Sequence, residues 1–267
     1  DWPESVRQAA DAIGWDTELP EGRGRGIAVA IKSGATTGLS NSTVRLLADG
    51  SVILYAGTSD MGQGARTIFA QLVADAFGAP LDRISVVMGD TSVVPFDLQT
   101  SASRSTVFMG TAIMRACADI CEQVVELAID LLGISADQVR VADGMVHLPD
   151  GAETVFEFVQ KGLGKWNGEL IGNGRMRKPT DKIHPLGGTP AFFEFNCSAF
   201  EVSVDRGTGE ILIHKHVTVG DVGKALNPLQ VEMQDEGAAI MGLGHSMMEH
   251  LIMNDKGAIR NLGALDY

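Results

Sequence analysis

Basic residues, cysteines and long apolar runs are all scarce in this chain of 267 residues, and each shortage excludes a class of protein. Lys and Arg number 21 against 34 Asp and Glu, giving a net charge of −13, which disfavours nucleic acid and anionic membranes as partners. No apolar run approaches the roughly 20 residues that cross a bilayer. The first residues lack the basic and apolar regions of a signal peptide. We therefore expect a cytoplasmic protein.

The residues that are plentiful indicate an ordinary globular protein. Hydrophobic residues make up 45% and charged residues 21%, and this length fits one large domain or two lobes. The cysteines number three, and Cys117 and Cys121 lie one helical turn apart within an apolar pattern. We expect buried thiols there, in preference to a redox or metal site. Because the chain opens with Asp1 and not Met, a processed or excised piece is an open alternative.

Strand and helix patterns follow one another in blocks, without strict βαβ alternation. The expected fold class is therefore α+β, with antiparallel and mixed sheets and packed helices. Strand patterns at 27–31, 42–47 and 52–56 predict a small antiparallel unit, with Asp49-Gly50 as a hairpin turn. Residues 21–26, rich in Gly and Arg, predict a flexible, positively charged connector.

The same patterns predict two lobes joined by a glycine- and proline-rich stretch. Residues 162–191 have no clear period, which is typical of a long loop or a boundary. We predict four segments: a leading helix and connector at 1–25, a first lobe at 26–161, the loop or lobe boundary at 162–191, and a second lobe at 192–267.

The first candidate site is a glycine-flanked amide between a strand and a helix. Met61, Gly62, Gln63 and Gly64 follow Asp60 in this turn. Glycines let a backbone approach a ligand closely, and a helix N-terminus offers free N–H groups to an anion. The Gln63 carboxamide both donates and accepts hydrogen bonds. The turn predicts a site for a large phosphate-bearing cofactor, and a glycine turn that merely starts a helix is the alternative.

A second candidate site is a loop rich in hydroxyl groups at the start of a long helical pattern. Small hydroxyls, backbone amides and a helix N-terminus suit a pyrophosphate or the edge of a pterin. Helix capping alone would also explain the serines. The predicted binding residues are Ser101, Ala102, Ser103, Arg104, Ser105 and Thr106.

A third candidate lies near the C-terminus, where a strand ends and Asn227-Pro228 begins a helix. Gln234 falls within the first two turns, where it could face a ligand. The neighbouring Asp235 and Glu236 fit a solvated helix face equally well. Two histidines, His214 and His216, are spaced to share one strand face, but no third ligand for zinc stands out, so we expect ordinary packed or solvated imidazoles.

Together these motifs resemble the molybdenum-cofactor-binding subunit of the xanthine dehydrogenase and aldehyde oxidase family. The resemblance covers nearly the whole chain. It rests on Ile13-Gly14-Trp15, the Met-Gly-Gln-Gly turn at 61–64, Gly89-Asp90-Thr91, the Ser-Arg-Ser loop at 103–105, Asp221-Val222-Gly223 with Asn227-Pro228, and Leu265-Asp266-Tyr267.

The resemblance implies roles for the three candidate sites. Gln63 and the backbone of Met61 and Gly62 would contact the pterin or the ligands of the metal. Residues 101–106 would bind the pterin and its phosphate region, and Gln234 would hydrogen-bond to the cofactor from the second lobe. The cofactor would be molybdopterin with molybdenum, in bacteria usually the cytosine dinucleotide form. The family oxidises N-heteroaromatics, aldehydes, purines or carbon monoxide with oxygen from water.

The chain departs from the family pattern in its catalytic parts. The family's base is a glutamate in a Gly-x-Gly-Glu motif downstream of where this sequence stops, and a metal-proximal loop rich in Gly and Phe lies upstream of Asp1. Gly207-Thr208-Gly209-Glu210 has the letters of the motif, but its position between strands favours a hairpin turn. We therefore expect no catalytic residue in this chain and a glutamate supplied by a missing segment or a partner chain, as in split, nicotinate dehydrogenase-like enzymes.

The expected partners follow from the same resemblance. They are another molybdenum-subunit segment or chain, a [2Fe-2S] subunit, in many members an FAD subunit, and a small-molecule substrate, with neither nucleic acid nor membrane. The alternative function is a non-catalytic assembly domain that keeps the fold without a metal cofactor. The presence of Gln63, Arg104 and Gln234 together favours the cofactor-binding portion of a multi-subunit molybdenum oxidoreductase.

Overall fold

The computed structural model describes residues 2–34, 38–164, 168–178 and 183–267. Within these ranges the helices are α1 Trp2–Ile13, α2 Ala65–Phe77, α3 Ser105–Leu132, α4 Val155–Leu163 and α5 Pro228–Met247, with short 3-10 turns at Leu81–Arg83 and Ala136–Gln138. The strands are β1 Arg23–Gly34, β2 Leu39–Leu47, β3 Val52–Ala56, β4 Ile84–Val87, β5 Arg140–Ala142, β6 Met145–Leu148, β7 Gly151–Thr154, β8 Glu169–Arg177, β9 Phe192–Val204 and β10 Ile211–Asp221. The predicted α+β class is confirmed.

The chain divides into two compact units. One comprises residues 33–193, and the other joins residues 1–32 to residues 194–267. This division differs from the predicted one, in which 1–25 formed a separate leading segment. The reason is the apolar face of α1, since Ala9 and Ile13 are buried in one cluster with Cys197 and Ala199 of β9.

The sheet of the terminal unit has the order β1-β9-β10, with β9 and β10 antiparallel. The predicted flexible connector at 21–26 is wrong, because β1 begins at Arg23. Its two arginines are held by Glu201, with Arg23 Nη1 at 2.8 Å from Oε1 and Arg25 Nε at 2.9 Å from Oε2. The expected pairing of 27–31 with the strands at 42–47 and 52–56 is also wrong, since β1 belongs to the sheet of β9.

The central unit is built on a mixed sheet of order β4-β3-β2-β8. The predicted hairpin between β2 and β3 is confirmed, with Ser42 opposite Ala56 and Leu46 opposite Val52. The β3–β4 pair is parallel and is connected through α2. Alternate residues of β2 and β3 are buried and pack, with α2 and α3, in one hydrophobic core.

The prediction of a loop or lobe boundary at 162–191 is wrong for residues 169–177. These residues form β8, which pairs along the whole of β2. Its glycines conceal the strand pattern in the sequence. A Cβ atom at Gly172 would lie 2.0 Å from the Ala116 carbonyl oxygen, and one at Gly174 would lie 1.8 Å from the Ala112 carbonyl oxygen. Glycine is therefore required where the backbones of β8 and α3 touch.

A third, three-stranded sheet of order β5-β6-β7 is followed directly by α4. The strands β5 and β6 pair across Asp143-Gly144. The start of α4 carries a capping box, in which Thr154 and Glu157 satisfy each other's backbone N–H groups.

The predicted burial of the thiols is confirmed. Cys117 and Cys197 are buried, Cys121 is half-buried, and all three are free. Burial raises the pKa of Cys121 to about 11, so this thiol stays protonated and unreactive at neutral pH. Over the ranges that the structure describes, no cluster of three or more His, Cys, Asp or Glu side chains could hold a metal ion. No helix in those ranges has the length and apolarity needed to span a membrane.

Replacing Gly174 by Ala should destabilise the protein. The new methyl group would meet the Ala112 carbonyl oxygen at 1.8 Å, so β8 or α3 must shift, and we expect the free energy of unfolding to fall by about 2 kcal/mol or more. Urea denaturation followed by circular dichroism measures the change. Gly24→Ala is the matched control, because a Cβ atom at this strand glycine meets nothing within 4 Å. Equal stability of the two variants would contradict the close approach.

Candidate functional site

The turn before α2 is shaped by the carboxylate of Asp60. Its oxygens accept hydrogen bonds from the backbone N–H groups of Gly62 (3.0 Å), Gly64 (3.4 Å) and Arg66 (3.0 Å). These bonds, that from Arg66 foremost, lower the pKa of Asp60. Within the first turn of α2, the Arg66 N–H is therefore bound by the chain's own carboxylate and is not free for an anion.

Gln63 lies in the same turn and uses its carboxamide locally. Its Nε2 donates to the Ser59 carbonyl oxygen at 2.8 Å, and its Oε1 accepts from the Met61 N–H at 2.6 Å. Gly62 and Gly64 have φ values of +104° and +80°, which glycine adopts without strain. Gln63 thus fixes the path of residues 59–63 and leaves Met61 71% exposed at the tip of the turn.

Below this turn, a buried carboxylate joins the ends of three segments. Asp97 Oδ1 accepts from Ser40 Oγ of β2 at 2.5 Å and from Arg104 Nη1 at 2.9 Å, and Oδ2 accepts from Thr58 Oγ1 at 2.6 Å. The side chains of Asp97 and Arg104 are 0% and 1% exposed. A buried charge pair requires hydrogen bonds that offset the loss of water, and of the Arg104 guanidinium nitrogens Nε alone is buried without a partner in the described residues.

Arg104 is consequently turned inward and away from solvent. Its guanidinium also donates to the carbonyl oxygens of Leu39, Leu98 and Gln99 and stacks over the ring of Phe108. The prediction that Arg104 binds the cofactor by its side chain does not fit this placement. Its observed role is to hold the loop that precedes α3 against the sheet.

The hydroxyl-rich loop itself has an unusual backbone. Ala102 and Ser103 adopt φ values of 49° and 52°, a left-handed conformation that non-glycine residues rarely take. Arg104 is the N-cap of α3, and arginine has no acceptor atom with which to cap a helix. Ser105 buries its Oγ atom without a hydrogen-bond partner in the described part of the chain. The N-cap side chain of this long helix thus makes no cap bond, and the hydroxyl of the next residue has no partner in the described ranges.

Two of the three predicted sites are brought together. Thr100 Oγ1 donates to the Ser59 carbonyl oxygen at 2.8 Å, and the same oxygen accepts from Gln63 Nε2. Gln63 and Thr100, the residue before the loop at 101–106, therefore share a hydrogen-bond acceptor, which places the turn beside the loop in the central unit. Ser101, Ser103 and Thr106 are exposed in this loop.

The third predicted site lies in the terminal unit. Asn227 caps α5 by accepting from the Gln230 N–H at 3.1 Å, and Pro228 follows in the first turn, which confirms the predicted helix start. Gln234 lies on α5 and is exposed. Its part in a cofactor site stays a prediction.

The prediction that His214 and His216 share a strand face is wrong. The β9–β10 register shifts between Ile213 and Lys215, so His214 occupies a bulge. It pairs with Ser203 Oγ at 2.8 Å, whereas His216 stacks on Phe200 with 4.1 Å between ring centroids. The Gly-Thr-Gly-Glu run at 207–210 lies in the β9–β10 turn, as expected, and Asp205 accepts from the Thr208 N–H there at 2.7 Å.

Sequence reasoning missed Asp60 and Asp97, which organise the site. Asp60 carried a readable signal, because an aspartate just before a glycine-rich helix start is a common cap. Asp97 carried none, since its three partners come from positions 40, 58 and 104 and meet only in the folded chain.

Replacing Asp97 by Asn should strongly destabilise the central unit. The buried Arg104 guanidinium would lose its counter-charge, and we expect the free energy of unfolding to fall by about 3 kcal/mol. Thermal and urea unfolding measure this loss. Asp90→Asn is the control, since this exposed carboxylate serves only a local turn with Ser92 and its replacement should leave stability nearly unchanged. Wild-type stability of the Asp97 variant would disprove the central role of the pair.

A family model and individual relatives both match this chain over most of its length. Residues 5–267 match the molybdopterin cofactor-binding domain. The chain is 30% identical over 262 residues to the probable hypoxanthine oxidase XdhD of Escherichia coli K12, covering 95% of this chain and 26% of that protein. It is 28% identical over 262 residues to the nicotine 6-hydroxylase large subunit of Paenarthrobacter nicotinovorans, covering 91% of this chain and 31% of the relative.

A solved structure shares the fold. The Cu,Mo-CO dehydrogenase matches with a TM-score of 0.85 and 21% identity, over 99% of this chain and 36% of that chain. The present chain thus spans about a quarter to a third of the length of the relatives it matches. Since the family profile covers nearly all of it, the chain belongs to the molybdopterin cofactor-binding domain family, as its resemblance to xanthine dehydrogenases and aldehyde oxidases predicted.

Proposed function

We propose that this chain is the molybdopterin-binding portion of a multi-subunit molybdenum hydroxylase. The single observation that carries the proposal is the start of α3, where the N-cap residue supplies no side-chain cap and the Oγ of Ser105 has no partner among the described residues. Backbone amides and hydroxyls at a helix N-terminus are the donor set that binds a phosphate group. The family match supports a pterin-bearing phosphate as the ligand.

The loop at 101–106 fits a phosphate group better than the turn at 61–64 does. The loop at 101–106 carries exposed hydroxyls and leads into a helix whose N-cap residue supplies no side-chain cap. In the turn at 61–64, by contrast, the N–H groups of Met61, Gly62 and Gly64 are bound by Gln63 and Asp60. We propose that Ser101, Ser103, Ser105 and Thr106 bind the phosphate region. The turn would contribute its shape and the exposed tip at Met61 and Gly62.

The chain's own residues bind and orient in this proposal, and none acts as the base. When bound, the molybdenum centre supplies the oxidation of the substrate with oxygen taken from water. The Asp97–Arg104 pair holds the binding loop rigid, because the loop's ends are tied to β2 and to the end of β3. The catalytic glutamate would come from another segment or chain, since general base catalysis needs a group within hydrogen-bond reach of the proton it takes.

The proposal extends to the substrate class, the form of the cofactor and the partner subunits. Relatives named for hypoxanthine, nicotine and aldehydes support an N-heteroaromatic or aldehyde substrate. The cytosine dinucleotide form of the cofactor, a cytoplasmic location, and [2Fe-2S] and FAD partners follow from the family resemblance. Gln234 would contribute a hydrogen bond to the cofactor. The alternative, an assembly domain without metal, predicts a protein that folds and associates but binds no pterin.

Metal and pterin analysis of the complete protein, purified with its natural neighbours, separates the two functions. We expect molybdenum, and a cytosine nucleotide released by acid treatment. Inductively coupled plasma mass spectrometry and chromatography of the released nucleotide measure the two components. A stable complex that contains neither would contradict the proposal and favour the assembly domain.

Replacing Ser105 by Ala in the complete protein tests the proposed phosphate site. Removal of one neutral hydrogen bond should speed cofactor loss on dialysis about fivefold, the equivalent of about 1 kcal/mol. The thermal midpoint should not fall, because the variant removes a buried hydroxyl that has no partner in the described residues. Ser51→Ala is the control, since this hydroxyl contacts Asp49 in the β2–β3 turn. Unchanged cofactor retention in the Ser105 variant would reject the site.

A further inference from the structure

An open cleft of about 490 Å³ lies within the terminal unit, between α5 and the face of β9 and β10. The strands contribute Phe200, Val202 and Ile213 to its wall, and α5 contributes Ala238, Ala239 and Gly242. At these three positions α5 presents nothing larger than a methyl group, although Leu243 and Met247 of the same helix also line the cleft. The space that a larger side chain would fill is left open, although protein interiors are normally close-packed.

The helix α5 shows the same lack of packing along its entire length. It has 20 residues, and none of them is buried. Large apolar side chains remain exposed, with Leu229, Met233, Ile240 and Met241 each between 59% and 73% accessible. Most of the stability of a protein helix comes from packing an apolar face, and exposed apolar patches of this kind mark interaction surfaces.

Polar atoms around α5 also lack partners. The Nε2 atom of His216 in the cleft wall and Oε1 of Gln230 on α5 are buried and have no hydrogen-bond partner within the described ranges. The carboxyl group of Asp235 lies against the backbone of Gly220, where a Cβ atom would stand 3.0 Å from Oδ2. Burial raises the pKa of Asp235. The residues that line the cleft include no lysine or arginine.

We propose that this cleft seats a segment of another polypeptide region of the assembly, with apolar side chains for the cleft and one lysine or arginine for Asp235. The cleft volume suits a few medium-sized side chains. The wall runs along α5 from Asp235 to Met247, roughly 18 Å at 1.5 Å per residue, which fits an extended or helical segment. A basic group in the segment would neutralise the desolvated carboxylate, and a polar group would satisfy His216 Nε2.

A polypeptide fits this surface better than a small molecule does. The relatives are about three to four times as long as the matched region, so a large amount of family polypeptide lies outside it. The unpacked surface also continues from the cleft over the exposed side of α5, well beyond the reach of one small ligand. The proposal concerns the terminal unit alone and does not depend on the cofactor site in the central unit.

Site-specific photo-cross-linking in the complete protein tests the proposal. The photoreactive residue p-benzoylphenylalanine replaces Ala239 in the cleft wall, and the cross-linked peptide is identified by mass spectrometry. We expect one dominant product, an apolar segment with a lysine or arginine within about four residues of the linked position. Cross-links only to β9 and β10, or no cross-link to polypeptide at all, would overturn the proposal. Native mass spectrometry that reveals a bound small molecule in the cleft would also overturn it.

A pair of charge variants tests the contribution of Asp235. Asp235→Asn should lower the yield of the Ala239 cross-link several-fold, whereas Glu236→Gln, the same loss of charge at a neighbouring exposed position, should leave it unchanged. Both variants keep their size and lie outside the proposed phosphate site. Equal cross-link yields in the two variants would disprove the role assigned to Asp235. Cofactor content is measured in both variants, and equal values would show that the change in cross-link yield does not arise from loss of the cofactor.

Discussion

The buried pair between Asp97 and Arg104 is the interaction on which the proposed binding surface depends. It connects the loop before α3 to Ser40 of β2 and to Thr58 just after β3. Removing two charges from water is costly, so the pair persists only because nearly every donor and acceptor around it is satisfied. That network anchors the loop in which Ala102 and Ser103 adopt the left-handed conformation.

Close backbone contact is the second constraint on the central unit. The strand β8 lies directly against α3 because Gly172 and Gly174 have no side chain to separate them. This contact positions the long helix over the sheet, and the N-terminus of that helix carries the hydroxyl-rich loop. Packing in the core and the geometry of the candidate site are therefore coupled through α3.

The two units use polar residues in opposite ways. In the central unit, Asp60, Gln63 and Arg104 each form hydrogen bonds to nearby groups of the same unit and so build a rigid surface. In the terminal unit, His216 and Asp235 line the same cleft, His216 Nε2 is buried without a hydrogen-bond partner among the described residues, and no residue of α5 is buried. The first pattern is typical of a preorganised binding site, and the second is typical of an interface that another polypeptide completes.

The sequence by itself determined the α+β class, most helices, the β2–β3 hairpin and the family, because these follow from local periodicity, turn residues and short motifs. It could not reveal that Arg104 points inward or that His214 and His216 separate at a bulge. Those features depend on partners far apart in the chain or on a register shift, and neither has a local pattern. Tertiary structure alone decided which of the predicted polar residues still offer free groups to a ligand.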